Sequence, residues 1–146
     1  MDSNARYIST RLRKGALVIE VTCQQLNDYD KVAAVRDEIL EAIQRVQSVP
    51  VILNLRNVQL LTSVALFPFI EIRAVAEREG RQVVLCNVAA PVAQALTVSQ
   101  LIVENRSPDH HLVLTEDLSA AIEWLTNGGI ESPRRSRLAS SVAEPV

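Results

Sequence analysis

Between Val51 and Val88 (VILNLRNVQLLTSVALFPFIEIRAVAEREGRQVVLCNV) an apolar strand runs through a hydroxyl pair, Thr62-Ser63, into an amphipathic helix and out into a second apolar strand. No other feature constrains the fold as strongly. A strand apolar at consecutive positions needs cover on both faces, and a helix between two such strands supplies the long crossover that parallel pairing requires. The segment therefore reads as a β-α-β unit at the centre of a sheet.

The flanking sequence extends the alternation. Tyr7 to Arg13 (YISTRLR) and Ala16 to Val21 (ALVIEV) form a hairpin around Lys14-Gly15, where the glycine supplies the positive φ of a tight connection. After Asn27-Asp28, the residues Val32, Val35, Ile39, Ile43 and Val46 mark one face of a helix that Pro50 ends. Val51 to Leu55 is the first apolar strand. The next helix begins near Ala65 or later, because Pro68 has no N–H and its ring clashes with the Val64 carbonyl inside a regular helix. It runs to Glu79, with Gly80 as its C-cap.

Gln82 to Cys86 is the second apolar strand, and Pro91 sits in the first turn of a short helix ending near Val98. Glu104 to His110 (ENRSPDH) is a polar loop and His111 to Leu114 a short strand. Thr115 is placed to cap a helix with Leu118, Ala121, Ile122 and Leu125 on one face. The expected fold class is α/β: one domain over residues 1–126, a mixed sheet with parallel interior strands, an N-terminal hairpin and about four helices. Residues 127–146 (NGGIESPRRSRLASSVAEPV, from Asn127) have almost no apolar pattern and are expected to form a disordered tail.

Composition removes several classes of function. With 15 Lys+Arg against 17 Asp+Glu and a net charge of −2, no strong field points to nucleic acid or an anionic membrane, and an aromatic share of 3% leaves little surface for base stacking. No run approaches the roughly 18 apolar residues of a membrane span, and MDSNARYIST lacks the pattern of a secretory signal. A cytoplasmic chain without membrane insertion is expected. Cys23 and Cys86 lie far apart in apolar, strand-like contexts that suit buried, reduced thiols without a catalytic role.

Catalytic signatures are missing too. The sequence contains neither G-x-G-x-x-G nor G-x-x-x-x-G-K-[ST], and its 4 glycines leave few places for a backbone to close around phosphates. Ser63 lacks the G-x-S-x-G frame of a nucleophile elbow, and adjacent His110 and His111 on a strand would point to opposite faces. No spacing suggests a metal site. The reading is a chain without catalytic residues, metal or cofactor.

What remains is the hydroxyl pair. A serine or threonine before a helix either caps it or, with the helix dipole and free N–H groups beside it, accommodates a phosphate. Three stretches resemble the STAS domains, named for sulphate transporters and anti-sigma factor antagonists. They are NLRNV (Asn54 to Val58), LLTSVAL (Leu60 to Leu66) and AEREGRQVVL (Ala76 to Leu85), and the resemblance in element order extends from about Tyr7 to Leu125. Thr62, Ala65 and Asn54 stand where that pattern has aspartate, glycine and a strand-end aspartate.

The resemblance implies a binding module rather than an enzyme: an anti-sigma factor antagonist that exchanges partners with a kinase-type anti-sigma factor or related ATPase. Ser63 aligns with the phosphorylated serine, Thr62 is the second candidate acceptor, and Asn54, Thr62, Ser63, Val64 and Ala65 form the expected partner contact. ATP would belong to the partner. The three departures leave open a non-phosphorylated scaffold of a stress-signalling or lipid-transport ATPase complex, and a homo-oligomer is compatible with either. A small ligand-binding or hydrolytic domain with its pocket at this loop is the reading from another class. The tail carries two basic serine strings, Arg134 to Ser136 and Arg137 to Ser140, which a basophilic kinase could use but which a solvated tail explains better.

The domain boundary generates the first prediction. Truncation after Thr126 should leave the thermal midpoint nearly unchanged by circular dichroism, whereas a drop of more than a few degrees would mean that the tail docks on the domain.

Overall fold

The computed structural model describes residues 7–99, 101 and 112–128. The loop Glu104 to His110, His111 and the basic serine strings of the tail lie outside the described residues. The hairpin consists of β1 (Ile8–Arg13) and β2 (Ala16–Val21), paired antiparallel. Lys14 and Gly15 connect them at φ 52° and 79°, the two left-handed conformations that match a two-residue turn to the twist of its strands. The chain continues through β3 (Gln25–Leu26), α1 (Tyr29–Arg45), β4 (Val51–Asn54), β5 (Leu60–Leu61), α2 (Leu66–Glu79), β6 (Val83–Cys86), α3 (Ala90–Val98), β7 (Leu112–Leu114) and α4 (Leu118–Thr126).

The main sheet has the order β1-β2-β4-β6-β7, and every pair after the hairpin is parallel. Each crossover advances one strand in the same direction. Right-handed connections then place α1, α2 and α3 on one face. Leu17, Ile19, Leu53 and Leu85 meet Val35 and Ile39 of α1, Ile72 of α2 and Leu96 of α3 in the larger core. On the other face Val18, Ile52, Val84 and Val113 pack against Ala121 and Trp124 of α4. The fold is the expected α/β arrangement, with a mixed sheet and four helices.

Local chemistry explains where the elements stop. Asp28 caps α1, its Oδ2 accepting the Lys31 N–H at 3.0 Å. The helix ends at Arg45, five residues before Pro50, so the proline does not end it. Arg81 does the terminating chemistry: its buried guanidinium donates to the carbonyls of Ile43 (2.9 Å), Val46 (2.8 Å) and Val49 (2.8 Å), and to Glu79 Oε1 at 3.2 Å. Carbonyls of the last turn and of the loop after it thus find charged donors without a continuing helix. Gly80 closes α2 at φ 66°, as expected.

Two further expectations are corrected. Thr115 is buried and does not cap α4; its hydroxyl donates to the Leu85 carbonyl at 3.0 Å, while Asp117 takes the cap by accepting the Ala120 N–H at 2.8 Å. Cys23 lies beyond the end of β2 and is half-buried, whereas Cys86 is fully buried in β6. Both thiols are free. Burial pushes the Cys86 thiol up to about 12, helped by the charges of Asp117 and Glu20, and burial also raises Cys23.

These environments generate two predictions. Arg81→Ala leaves three carbonyls without their charged donor and should cost about 3 kcal/mol of unfolding free energy. Arg81→Lys should recover only part, because one ammonium does not reproduce the three-way fork. Urea titration reads both, and a loss below about 1 kcal/mol for the alanine variant would contradict the clamp. A thiol reagent at neutral pH should modify Cys23 well before Cys86.

The Cys86 thiol also sets an alkaline limit. A folded-state pKa raised above the ordinary 9.0 means that the stabilisation is complete below about pH 9 and is lost as pH rises toward about 12. Cys86→Ala should flatten that part of the stability profile.

Candidate functional site

The path from β4 to α2 is pinned before it reaches the hydroxyl pair. Asn54, buried at the end of β4, accepts the Arg56 N–H at 3.2 Å and an amide proton of Asn87 at 3.1 Å through Oδ1. Asn87 follows β6 with φ 56°, a conformation asparagine tolerates better than most side chains. Across the sheet, Glu20 Oε2 accepts from Arg56 Nε at 2.9 Å and Asn57 Nδ2 at 2.8 Å, and Asn57 also donates to the Val21 carbonyl at 3.1 Å. The turn after β4 is thus tied to the ends of β2 and β6.

A second sheet continues the support. β3 and β5 pair in parallel, Gln25 opposite Leu60 and Leu26 opposite Leu61. The Gln59 N–H donates to the Gln24 carbonyl at 2.7 Å, and the Thr62 N–H to the Leu26 carbonyl at 3.2 Å. Thr62 Oγ1 donates to that same carbonyl at 3.3 Å. Thr62 is therefore bound from two atoms and only partly exposed.

Ser63 is exposed and opens a single 3₁₀ turn, Ser63–Ala65, directly before α2. The turn is the physical answer to Pro68. With α2 starting at Leu66, the proline falls in the first helical turn, where its missing N–H is tolerated. Neither hydroxyl caps the helix: Thr62 makes no side-chain cap bond and the N-cap position of α2 is Ala65. The Ala65 N–H is used by the Thr62 carbonyl at 2.9 Å, and the Leu66 N–H by the carbonyls of Ser63 and Val64.

Beside this turn, α1 and α2 leave an open groove of about 250 Å³, with Tyr29 and Ala33 on one wall and Val64, Phe67 and Pro68 on the other. Arg36 Nη1 and Glu71 Oε2, 3.4 Å apart, bridge the helices in the same groove. Hydrogen bonding to Asp37, and then the charges of Asp37 and Glu71, raise the Arg36 pKa, so the bridge keeps its cation at any ordinary pH. Tyr29 and Phe67 are 65% and 56% exposed, and Ile70, one turn further along α2, is 45% exposed. Large apolar side chains gathered at this exposure mark a contact surface more often than a solvated one.

The five candidate residues thus divide. Thr62, Ser63 and Val64 reach the surface together, while Asn54 and Ala65 are buried at 5% and 0% exposure and support the loop from beneath. Sequence reasoning missed Asn87, Glu20 and Asn57, which converge only through the strand order, and Tyr29, which α1 brings to the groove. Among the described residues no cluster of His, Cys, Asp and Glu could hold a metal ion, and no helix is long and apolar enough to cross a membrane.

Residues 7–116 match the sequence model of the STAS domain. A Thermotoga maritima protein described as an anti-sigma factor antagonist superposes with a TM-score of 0.66 at 12% identity, covering 82% of this chain and 94% of that one. SpoIIAA, an anti-sigma factor antagonist in its unphosphorylated form, gives 0.62 at 16% identity, covering 82% and 96%. A chain of the stressosome, described as a signal integration and transduction hub, gives 0.54 at 18% identity, again covering 82% and 96%. At these identities the structural likeness is one of fold, and no match was found among curated proteins. The family model spans most of the chain, from the hairpin through the parallel sheet and the loop before α2, and on that ground this protein belongs to the STAS domain family.

Proposed function

We propose that this STAS domain is a cytoplasmic, non-enzymatic regulatory module that exchanges partners through the loop Thr62–Val64, with a kinase-type anti-sigma factor as the partner and Ser63 as the phosphoacceptor. The observation that carries the reading is the placement of an exposed Ser63 hydroxyl beside the apolar groove of Tyr29, Val64 and Phe67. A kinase can reach that hydroxyl, and a partner seated on the groove would meet any charge placed there. Thr62, half-buried with its hydroxyl donated to Leu26, is the poorer acceptor.

Phosphate would act by charge rather than by refolding. The Ala65 and Leu66 N–H groups are already engaged with carbonyls and Pro68 contributes none, so the phosphate loses three of the donors a regular helix start would offer. About −1.5 to −2 charges would instead face the partner, with like-charge repulsion and desolvation opposing the complex.

A second reading, a non-phosphorylated scaffold, is supported by Thr62 and the buried Ala65 in place of the family's aspartate and glycine, and by the fold shared with the stressosome chain. The groove argues against a small-ligand pocket. It is open, slightly below the usual size range of about 300–1,000 Å³, and its charged groups already satisfy each other.

Titration against the candidate anti-sigma kinase separates the readings. Ser63→Asp should weaken binding by roughly thirtyfold, about 2 kcal/mol, while Ser63→Ala binds like the wild type. Both variants should melt near the wild-type midpoint, because Ser63 is exposed. Mass spectrometry after incubation with the kinase and ATP should place one phosphate on Ser63. If no phosphate appears on Ser63 or Thr62, and the aspartate variant binds as tightly as the alanine variant, the scaffold reading replaces the switch.

A further inference from the structure

We propose that the outer edge of β1 is a strand-addition site for an extended, acidic segment of a partner protein. In a hairpin with a two-residue connection the flanking residues, Arg13 and Ala16, form a hydrogen-bonded pair, and such pairs recur at every second residue. The pairs Arg11–Val18 and Ser9–Glu20 follow, and the Thr22 N–H donating to the Tyr7 carbonyl at 2.8 Å continues the series. The backbone N–H and C=O groups of Ile8, Thr10 and Leu12 must then point away from β2. β1 is the terminal strand of the sheet, and among the described residues no strand pairs with that side.

The edge is also accessible. Ser9 through Arg13 are exposed, Leu12 at 64%, while Ile8 is buried, so the open part of the edge offers the outward groups of Thr10 and Leu12; six consecutive register pairs run without a bulge or proline. Native sheets normally blunt such an edge with charge, and this one carries charge of a single sign. Arg11 and Arg13 lie opposite Val18 and Ala16, which places them on the face that α4 covers further along the sheet, and Lys14 sits in the turn. None of the three forms an ion pair among the described residues.

That charge pattern decides the occupant. If β1 paired antiparallel with β1 of a second copy about Thr10, the two Arg11 side chains would become diagonal neighbours on one face, with both Arg13 residues beside them. Like charges in those positions are destabilising. A strand with carboxylates at alternate positions instead sets an anion across from each arginine and supplies backbone partners to Thr10 and Leu12.

The site stands apart from the switch loop. Lys14-Gly15 precedes β2, at the end of the sheet opposite to the strand exits that lead toward Ser63. The proposal therefore holds whether or not Ser63 is phosphorylated.

The test uses the full chain and the peptide acetyl-Glu-Val-Glu-Thr-Glu-Val-Glu-amide, with the same peptide carrying Lys for Glu as the control. In nitrogen-edited NMR spectra the acidic peptide should shift the amides of Thr10 and Leu12 and slow their hydrogen exchange. Its affinity should fall about tenfold when salt rises from about 50 to about 500 mM. Arg11→Glu with Arg13→Glu should weaken it by more than tenfold and let the lysine peptide bind instead.

Thr10→Pro should abolish binding, because it removes an outward donor and no bond to β2. The paired glutamate variant keeps the test decisive if that proline unfolds the hairpin. Absence of shifts in β1 at millimolar peptide, or equal binding of the lysine peptide, overturns the proposal. So does a concentration-dependent dimer in sedimentation that the glutamate substitutions strengthen, since the occupant would then be a second copy.

Discussion

Strand β4 holds the centre of the sheet because Val51, Ile52 and Leu53 bury apolar side chains alternately on both faces while the backbone bonds β2 on one side and β6 on the other. Each such side chain removes about 1.5–3 kcal/mol worth of apolar surface from water, and that burial requires helices above and below. The uniform direction of the crossovers then decides how the cover is shared. Three helices fall on the Val51–Leu53 face, and the smaller patch around Ile52 is left to α4 with Ala121 and Trp124. The different thickness of the two cores thus follows from topology.

The same strand anchors the candidate loop. At Asn54 the chain leaves the apolar interior, and its polar groups are satisfied at once by Arg56 and Asn87, with Glu20 and Asn57 bracing the turn that follows. The β3–β5 pair and the two hydrogen bonds that Thr62 donates to the Leu26 carbonyl carry that support to within one residue of Ser63. Under the proposed switch, a serine presented this way would change its charge without changing its surroundings. A partner would then meet the same shape before and after modification, and discrimination would fall to electrostatics and desolvation at the groove.

Elements defined by period were legible in the sequence. The hairpin, the face of α1, the two apolar strands and the end of α2 at Gly80 each follow from a repeat of 2 or 3.6 residues or from a residue with a single backbone use. Pro68 even indicated that the helix starts late, although periodicity does not reveal the 3₁₀ turn that accommodates it. Strands β3 and β5 are two residues each, too short for any pattern, and exist because the ends of β2 and β4 bring them together.

The remaining surprises were long-range. Nothing in the sequence marks Arg81, between Gly80 and an apolar strand, as buried, yet it enters the interior to meet carbonyls at and just past the end of α1, 32 to 38 residues away. Thr115 looked like a cap because it stands near a helix start, but Leu85 on the neighbouring strand claims its hydroxyl. At the site, Thr62 and Ser63 stood out as the polar interruption between strand and helix. Tyr29 and Phe67 did not, because an exposed aromatic and a buried one have the same letter.

Charge acts locally in a chain whose net charge is only −2. At physiological ionic strength the screening length is about 8 Å, so a phosphate on Ser63 would be felt across Val64 and the nearby groove but little beyond. β2 alone, six residues from Ala16 to Val21, spans about 20 Å between the basic turn and the end of the sheet that faces the switch loop. A segment bound along β1 near that turn would therefore be almost insensitive to phosphorylation. Such an arrangement would let one contact be broken by modification while a tether at the other end keeps the partner close, so that re-engagement after dephosphorylation is governed by effective concentration rather than by a fresh encounter.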